Sequence, residues 1–347
     1  MSYTNINKSS DFFNTKLWTG TGYSNSINMG LQPDWTWIKN RNLSGGSAQY
    51  HHLYDSVRGG NLRLISNETN AESATNDRFN GITSTGFNLV GNDSGTNGAG
   101  ATYVGWGWKA NGQGSPNTDG SINTTYTSVN ISAGFSISSY TGTGSAGTIG
   151  HGLGSTPKMI IVKCRSNNDT WAVYHVDVGA TKYLELDTSA AQQTSTQPWN
   201  DTEPTSSVFT VGNWSATNGS GRSYIAYCFA EKSGYSSFGK YSGNSNQNGK
   251  FIYLGSKPSF IMVKRIDTGN SYDNWIMYDN KRSGYNVDND RLHADIYDAE
   301  NTDNTIDIVS NGFKIRSANS NLNGGTHIYM AFGQSMVGSN NIPATAR

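Results

Sequence analysis

Charged residues are scarce in this chain: Asp, Glu, Lys and Arg make up 14% of its 347 residues, against about a quarter in typical soluble proteins. Lys plus Arg and Asp plus Glu number 25 each, so the formal net charge is zero. Such a chain has no long-range field that would attract nucleic acid or an anionic membrane surface. We therefore expect no nucleic-acid partner, and a surface hydrated mainly by uncharged polar groups.

Cysteines, long apolar runs and a secretory leader are also lacking. The two cysteines, Cys164 and Cys228, do not make a disulfide framework in a chain of this length, and we interpret them as reduced core thiols. No apolar run approaches the roughly 20 residues that cross a bilayer, and the first residues do not have the pattern of a signal peptide. We expect synthesis in a cytosol and no membrane insertion.

Motifs of known catalytic or metal chemistry are missing as well. There is no nucleophile elbow, phosphate-binding loop or HExxH sequence. The adjacent His51 and His52 would point to opposite faces of a strand, and the acidic stretch 288–303 matches no defined calcium loop. No pair of acids and no nucleophile with a base recurs along the chain. The sequence predicts that the protein is not an enzyme and holds no metal or cofactor.

What the chain has in abundance is repetition. A proline followed by an apolar run and closed by Lys occurs at 33–39, 157–163 and 258–264, and each copy predicts a buried strand. Five further features recur in the same order around it, ending with an alternating strand at 103–108, 224–229 and 327–332. Copies at domain-sized spacing indicate a tandem array of one structural unit.

Short strand patterns separated by Gly, Asn and Ser turns dominate each unit, while helical signals are weak. We therefore predict an all-β fold of three tandem, mutually homologous β-sandwich domains of jelly-roll type. The predicted divisions are repeat 1 at 1–109, a flexible Gly/Asn/Ser/Thr linker at 110–133, repeat 2 at 134–231, repeat 3 at 232–335 and a polar C-terminal tail at 336–347.

The candidate binding residues are aromatics and acids in the long loops of units 2 and 3. A sugar site needs an apolar face for stacking and fixed acceptors for hydroxyls, although loop aromatics equally suit a subunit interface. Asp279 and Arg282 could instead form an ion pair across a turn. We predict a partner-binding face that contains Trp199, Tyr272, Tyr285 and Asp290, with Asp279 and Arg282 at its edge.

Several phrases of the sequence resemble a repeat-built protein family common in marine bacteriophage genomes. They are the stretches at 33–39, 150–154, 224–231 and 342–347, and the resemblance covers nearly the whole chain. It implies a virion structural protein, of the kind called tail-fibre-like or left unassigned. The family supplies no catalytic or binding residues that could be carried over.

Two roles on a bacteriophage surface follow as expectations from this resemblance. The first is a fibre or receptor-binding component whose loops contact host surface glycans. The alternative is a capsid or tail decoration protein, a cement that clamps neighbouring virion subunits without binding the host. The expected partners are other virion proteins, with a homo-oligomer such as a trimer and host surface polysaccharide as further candidates. The expected location is the virion, assembled in the host cytoplasm.

Overall fold

A computed structural model describes residue 4 and residues 6–43, 50–282, 286, 290–303 and 305–337. Nearly all the regular structure in these residues is β-strand, which confirms the predicted all-β fold and its sandwich character. We call the described residues up to 109 unit 1, those from 110 to 231 unit 2, and those from 232 to 337 unit 3.

Unit 1 begins with a 3-10 turn at Ser9–Asp11 and contains a large and a small antiparallel sheet. The large sheet has the spatial order β1 (Phe13–Thr19), β9 (Thr102–Trp108), β3 (Trp35–Asn40), β4 (His52–Asp55), β5 (Leu62–Ile65) and β6 (Ser73–Ala74). The small sheet has the order β2 (Asn25–Asn28), β8 (Gly86–Leu89) and β7 (Phe79–Thr83).

Unit 2 has the same plan with one additional strand at the edge of its large sheet. That sheet has the order β10 (Thr124–Asn130), β11 (Phe135–Thr141), β18 (Ser223–Phe229), β13 (Met159–Cys164), β14 (Trp171–His175), β15 (Lys182–Glu185) and β16 (Gln193–Thr194). The small sheet pairs β12 (Gly147–Gly150) with β17 (Val208–Val211), and a one-turn helix, α1 (Ser215–Asn218), precedes β18.

Unit 3 repeats the plan once more. Its large sheet has the order β19 (Ser236–Ser242), β27 (Thr326–Ser335), β21 (Ser256–Arg265), β22 (Ile276–Asp279), β23 (Asp290–His293) and β24 (Asn301–Thr302). Its small sheet has the order β20 (Phe251–Tyr253), β26 (Gly312–Ile315) and β25 (Ile306–Val309), and α2 (Ser320–Asn323) precedes β27. The proline-led strands β3, β13 and β21 therefore occupy the same central position in the three large sheets.

Each large sheet packs one face on its own small sheet. In unit 2, for example, Ile160 and Tyr174 of the large sheet share a core with Phe209 and Val211 of the small sheet. Residues of a strand point alternately to the two faces. The neighbour of Ile160, Ile161, accordingly lies in a different core.

The opposite faces of the three large sheets meet in one central core. Trp35 of unit 1 stacks on Tyr227 of unit 2 with ring centroids 4.5 Å apart. Phe229 of unit 2 lies 5.9 Å from Phe332 of unit 3, and Trp108 of unit 1 lies 5.5 Å from Phe260 of unit 3. Every unit thus touches both others, and the middle strands are buried on both faces. This explains why they read as continuous apolar runs.

The predicted flexible linker at 110–133 is wrong. Within it, β10 pairs along its length with β11, Ser115 bridges Thr127, and Ile122 bridges Ile149. The polar composition is misleading because backbone hydrogen bonds and β-forming residues such as Thr can make an edge strand that has few apolar side chains. Of the predicted C-terminal tail, residues 338–347 lie outside the described residues.

Candidate functional site

Trp199 does not lie on a binding face, contrary to the prediction. Its side chain is only 2% exposed and belongs to the core between the two sheets of unit 2, with its ring edge-on to Tyr174 at 6.1 Å. The loop folds back over the sheet because Pro198 O accepts a hydrogen bond from Gly212 N at 3.1 Å. A polar loop sequence cannot reveal that the loop itself covers an open core.

The burial of Trp199 gives a testable prediction about stability. Trp199→Ala should lower the free energy of unfolding by about 3 kcal/mol through lost packing and the cavity left behind, whereas Trp199→Phe should cost about half as much or less. Denaturant titration of both variants measures the difference. An Ala variant as stable as the wild type would contradict the buried position.

Asp279 and Arg282 are likewise not at the edge of a surface site. They form a buried ion pair, with Arg282 Nε donating to Asp279 Oδ2 at 2.6 Å. The same guanidinium donates to Glu300 at 3.1 Å and to Met277 O at 2.9 Å. Trp106 of unit 1 donates its indole N–H to Asp279 at 3.0 Å. The turn therefore serves the contact between units 3 and 1.

Electrostatics explain how this pair tolerates burial. Removal from water would by itself raise the pKa of the Asp279 carboxyl, but the Arg282 guanidinium and the N–H groups of Lys281 and Arg282 hold that pKa below its ordinary value. A buried charge is stable only when a partner and hydrogen bonds satisfy it. Both members of the pair are buried and hydrogen-bonded to protein partners, so neither is accessible to a sugar hydroxyl.

Unit 1 contains the same arrangement at Asp55 and Arg58. Arg58 Nε donates to Asp55 Oδ2 at 2.5 Å, and its other nitrogens donate to Leu62 O, Leu53 O and Glu72 at 2.8, 3.1 and 3.0 Å. Tyr227 of unit 2 donates its hydroxyl to Asp55 at 2.7 Å. In unit 2 the equivalent turn has His175 in place of the aspartate, so the ion pair is confined to two of the three units.

Two of the three junctions between units carry a further ion pair between a glutamate and an arginine, while the third has the more exposed pair Lys240–Asp177 at 3.5 Å. Glu72 of unit 1 accepts from Arg165 of unit 2 at 2.9 Å, and Glu300 of unit 3 accepts from Arg41 of unit 1 at 2.6 Å. The backbone N–H of each glutamate also donates to the carbonyl of its arginine at 2.8 Å. At the third junction Ile266 of unit 3 takes the place of the arginine and accepts from Gln192 N at 3.1 Å.

The lysine that closes each proline-led strand links its unit to a neighbour. All three lysines are buried, and each ammonium donates to carbonyl oxygens, one of them in another unit. These contacts are Lys39 with Tyr297 O of unit 3 at 3.1 Å, Lys163 with Thr69 O of unit 1 at 2.9 Å, and Lys264 with Ser189 O of unit 2 at 3.0 Å. The sequence shows that this lysine recurs but does not show its role. In the structure the three lysines join unit 1 to unit 3, unit 2 to unit 1 and unit 3 to unit 2.

Burial leaves these lysines with weakened basicity. Desolvation lowers the pKa of Lys39 to about 7 and those of Lys163 and Lys264 to about 8. Shifted pKa values often accompany catalysis, but structural networks cause them too. Here the ammonium groups point into the junctions and donate hydrogen bonds to carbonyl oxygens, so the assembly of the units explains the pKa shifts.

His175 makes the junction between units 2 and 3 sensitive to acid. Its Nε2 lies 3.2 Å from Tyr329 O of unit 3, and its Nδ1 accepts from Asp177 N at 3.2 Å. This pair of contacts requires a neutral ring with the proton on Nε2. Burial, with a smaller contribution from the nearby Lys158 and Lys240, lowers the pKa of His175 from an ordinary value of 6.5 to about 4.

Stability should therefore decrease as the pH falls from about 6.5 to 4, because the unfolded chain then binds a proton that native His175 does not. The slope for one such group is at most about 1.4 kcal/mol per pH unit. Asp295, whose pKa burial raises to about 7, contributes an opposite slope in this range. The readout is therefore the difference between the wild type and His175→Gln in denaturant titrations at several pH values. Parallel curves for the two proteins would refute this assignment.

The remaining predicted site residues do not define a common face. Tyr272 is 77% exposed, at the tip of a turn closed by hydrogen bonds between Asn270 and Asp273. Asp290 is half-buried and lies 3.8 Å from the guanidinium of Arg41. Tyr285 lies outside the described residues. Tyr272 thus retains the exposure that sugar stacking requires, while Asp290 belongs to the junction between units 3 and 1.

Sequence reasoning missed an exposed aromatic pair on β20. Phe251 and Tyr253 are 46% and 56% exposed, while Ile252 between them points into the core of unit 3. The signal was present as a Phe-Ile-Tyr triplet. Unit 1 has Ser-Ile-Asn and unit 2 has Thr-Ile-Gly at the corresponding positions.

Cavities and ligand clusters offer little chemistry. A surface groove of about 540 Å³ is lined by polar groups of β1, the turn after β2 and Lys281. Within the residues that the structure describes, no three His, Cys, Asp or Glu side chains gather as a metal ion would require. The described part of the chain also contains no helix long and apolar enough to span a membrane.

These features together define a class: an all-β protein whose sandwich units are joined by one central core and by polar junctions. Residues 8–335 match the family model of a domain of unknown function (DUF7483), and the chain belongs to that family. No curated protein and no solved structure matches the chain.

Proposed function

We propose that this chain is a non-enzymatic structural protein of a bacteriophage particle, the class that its sequence resemblance implies. The observation that carries the proposal is the joining of three units around one core, with ion pairs or buried lysines at every junction. A body built in this way resists deformation and protease attack, as a particle surface requires. The three lysines whose pKa is lowered by burial belong to these junctions.

Of the two surface roles, a decoration or cement protein is the better supported. Trp199, Asp279 and Arg282 are buried, so half of the residues expected in a glycan site are unavailable to a ligand. The exposed aromatic pair on the edge strand β20 is instead of the kind that favours a protein partner, because an edge strand offers both apolar rings and unpaired backbone groups.

Glycan binding remains the second candidate, and Tyr272 favours it. Its side chain is 77% exposed and the nearby Asn270 is exposed as well, so a ring for stacking and an amide for hydrogen bonding are both available to a sugar. One ring contributes on the order of 1 kcal/mol, so binding through Tyr272 would need many copies on one particle.

The proposal is tested on particles of the phage that encodes the chain. Mass spectrometry of purified particles should find the protein, and gold-labelled antibody should place it on the capsid or tail surface. Particles that lack it should disrupt at lower temperature while adsorbing to host cells normally. Normal heat resistance with lost adsorption would favour the receptor role, and absence of the protein from purified particles would overturn both.

A further inference from the structure

The outer edges of the three small sheets differ in how they are protected. The edge strands are β2, β12 and β20, each of which pairs with one strand of its own small sheet. An unprotected edge presents free N–H and C=O groups and invites pairing with another chain, so proteins usually cover it or place polar residues on it. In unit 1 the outward residues of β2 are the polar Ser26 and Asn28.

In unit 2 the chain covers the edge with its own residues. Ile122 N donates to Thr148 O at 3.0 Å, and Ser121 exchanges hydrogen bonds of 2.9 Å with the backbone and side chain of Thr148. Ile122 forms a parallel bridge with Ile149 of β12 and is buried. A short extended segment that ends in a β-branched residue is therefore what this type of edge accepts.

In unit 3 the corresponding edge of β20 has no cover among the residues that the structure describes. Leu254 N donates to Asn311 O, and Lys250 O accepts from Ile315 N, both at 2.9 Å. Because backbone groups alternate in direction along an antiparallel strand, those of Phe251 and Tyr253 point to the open edge. The connection from β18 to β19, residues 230–235, is too short to supply a covering segment like that of unit 2.

The side chains on this edge show what kind of segment fits. Unit 2 has Gly150 in the place of Tyr253, and Asn117 of the covering segment lies so close to it that a Cβ there would be 1.7 Å from the amide oxygen. Tyr253 has an exposed ring at the position where unit 2 has no side chain. A segment added to β20 would therefore pack its apolar side chains on the rings of Phe251 and Tyr253.

Charge indicates which partner supplies the segment. Lys250 is exposed, and Lys314 lies opposite Phe251 in the sheet register. Among the described residues neither lysine has a carboxylate partner. Pairing of two copies edge to edge would bring like charges together, which is unfavourable. An acidic segment of a different protein would be attracted, and the covering segment of unit 2 itself contains Asp119.

We propose that β20 is the docking site for an extended, acidic segment of another protein, which adds to the small sheet of unit 3 as a further strand. Backbone hydrogen bonds to residues 251 and 253 provide the affinity. A β-branched residue of the segment packs beside Ile252, as Ile122 packs beside Ile149 in unit 2, the aromatic pair packs on apolar side chains of the outward face, and Lys250 with Lys314 selects an acidic residue. The inference rests on the proposed function only where it identifies the partner as another virion protein.

The test uses the full chain and a synthetic peptide that copies residues 115–123 with Gly in place of Asn117, because Tyr253 stands where unit 2 has Gly150 beneath that side chain. A photoreactive p-benzoylphenylalanine in place of Phe251 should cross-link the peptide on illumination. The same group at Ser26, the matched position on the polar edge of unit 1, should not. Equal cross-linking at both positions, or none at Phe251, would overturn the proposal.

A charge reversal then tests selectivity. Lys250→Glu should weaken binding of the peptide by about fivefold and should favour a copy that carries Lys in place of Asp119. Lys16→Glu, in unit 1, should change neither affinity. If both variants prefer the same peptide, the acidic assignment is wrong. Cross-links from position 251 to a second copy of the chain, or to residues 338–347, would assign the edge to that occupant instead. If the protein binds the peptide but is absent from purified phage particles, the proposed function is rejected while the docking site stands.

Discussion

Arg58→Ala is expected to lower the free energy of unfolding by about 3–5 kcal/mol. The substitution removes a buried guanidinium that donates to Asp55, Glu72 and two backbone carbonyls. It leaves the Asp55 carboxylate buried with no cation beside it, and Tyr227 of unit 2 cannot replace that charge. The loss of stability should therefore affect the junction of units 1 and 2 as well as unit 1 itself. Urea titration followed by tryptophan fluorescence measures it.

The control is an ion pair of the same spacing in solvent. Lys8 and Asp11 are also three residues apart, with their charged atoms 2.7 Å apart, but both side chains are more than half exposed. Asp11→Ala should change stability by about 0.5 kcal/mol or less, since water screens such pairs. If Arg58→Ala proves no more destabilising than Asp11→Ala, the buried network contributes nothing specific and the interpretation is wrong.

Trp35→Ala is expected to destabilise all three units together, by about 3–5 kcal/mol. The indole is fully buried in the central core, where its ring lies 4.6 Å from Trp108 and 4.5 Å from Tyr227. Because the cavity opens between units, the loss cannot remain local to unit 1. Hydrogen exchange should show protection decreasing in the large sheets of all three units, with one unfolding transition.

A comparison with an exposed aromatic separates this effect from any general sensitivity to substitution. Tyr23 of unit 1 is 79% exposed, and Tyr23→Ala should leave exchange and stability almost unchanged, as surface substitutions usually do. Loss of protection confined to unit 1 in Trp35→Ala would show that the units fold separately. That result would remove the main support for the proposed structural role.

The sequence by itself determined the all-β class and the positions of the main strands. Apolar runs such as 157–163, and alternating strands such as 224–229, are local patterns, and a pattern that occurs three times leaves little doubt about its meaning. The order of features around each proline also predicted that these segments would hold equivalent places. Strand β21 accordingly lies at the centre of its sheet, as β3 and β13 do.

Only the tertiary structure decided which side chains face solvent and what joins the units. Trp199 looked like a surface aromatic because its neighbours in sequence are polar, yet its neighbours in space are a core. The 110–133 segment looked like a linker because edge pairing uses the backbone, which leaves little trace in composition. Lys39 donates to Tyr297 O of unit 3, and Arg58 donates to Glu72, which lies beyond strand β5. Local sequence cannot specify such partners, because they come together only when the three large sheets bury their inner faces against one another.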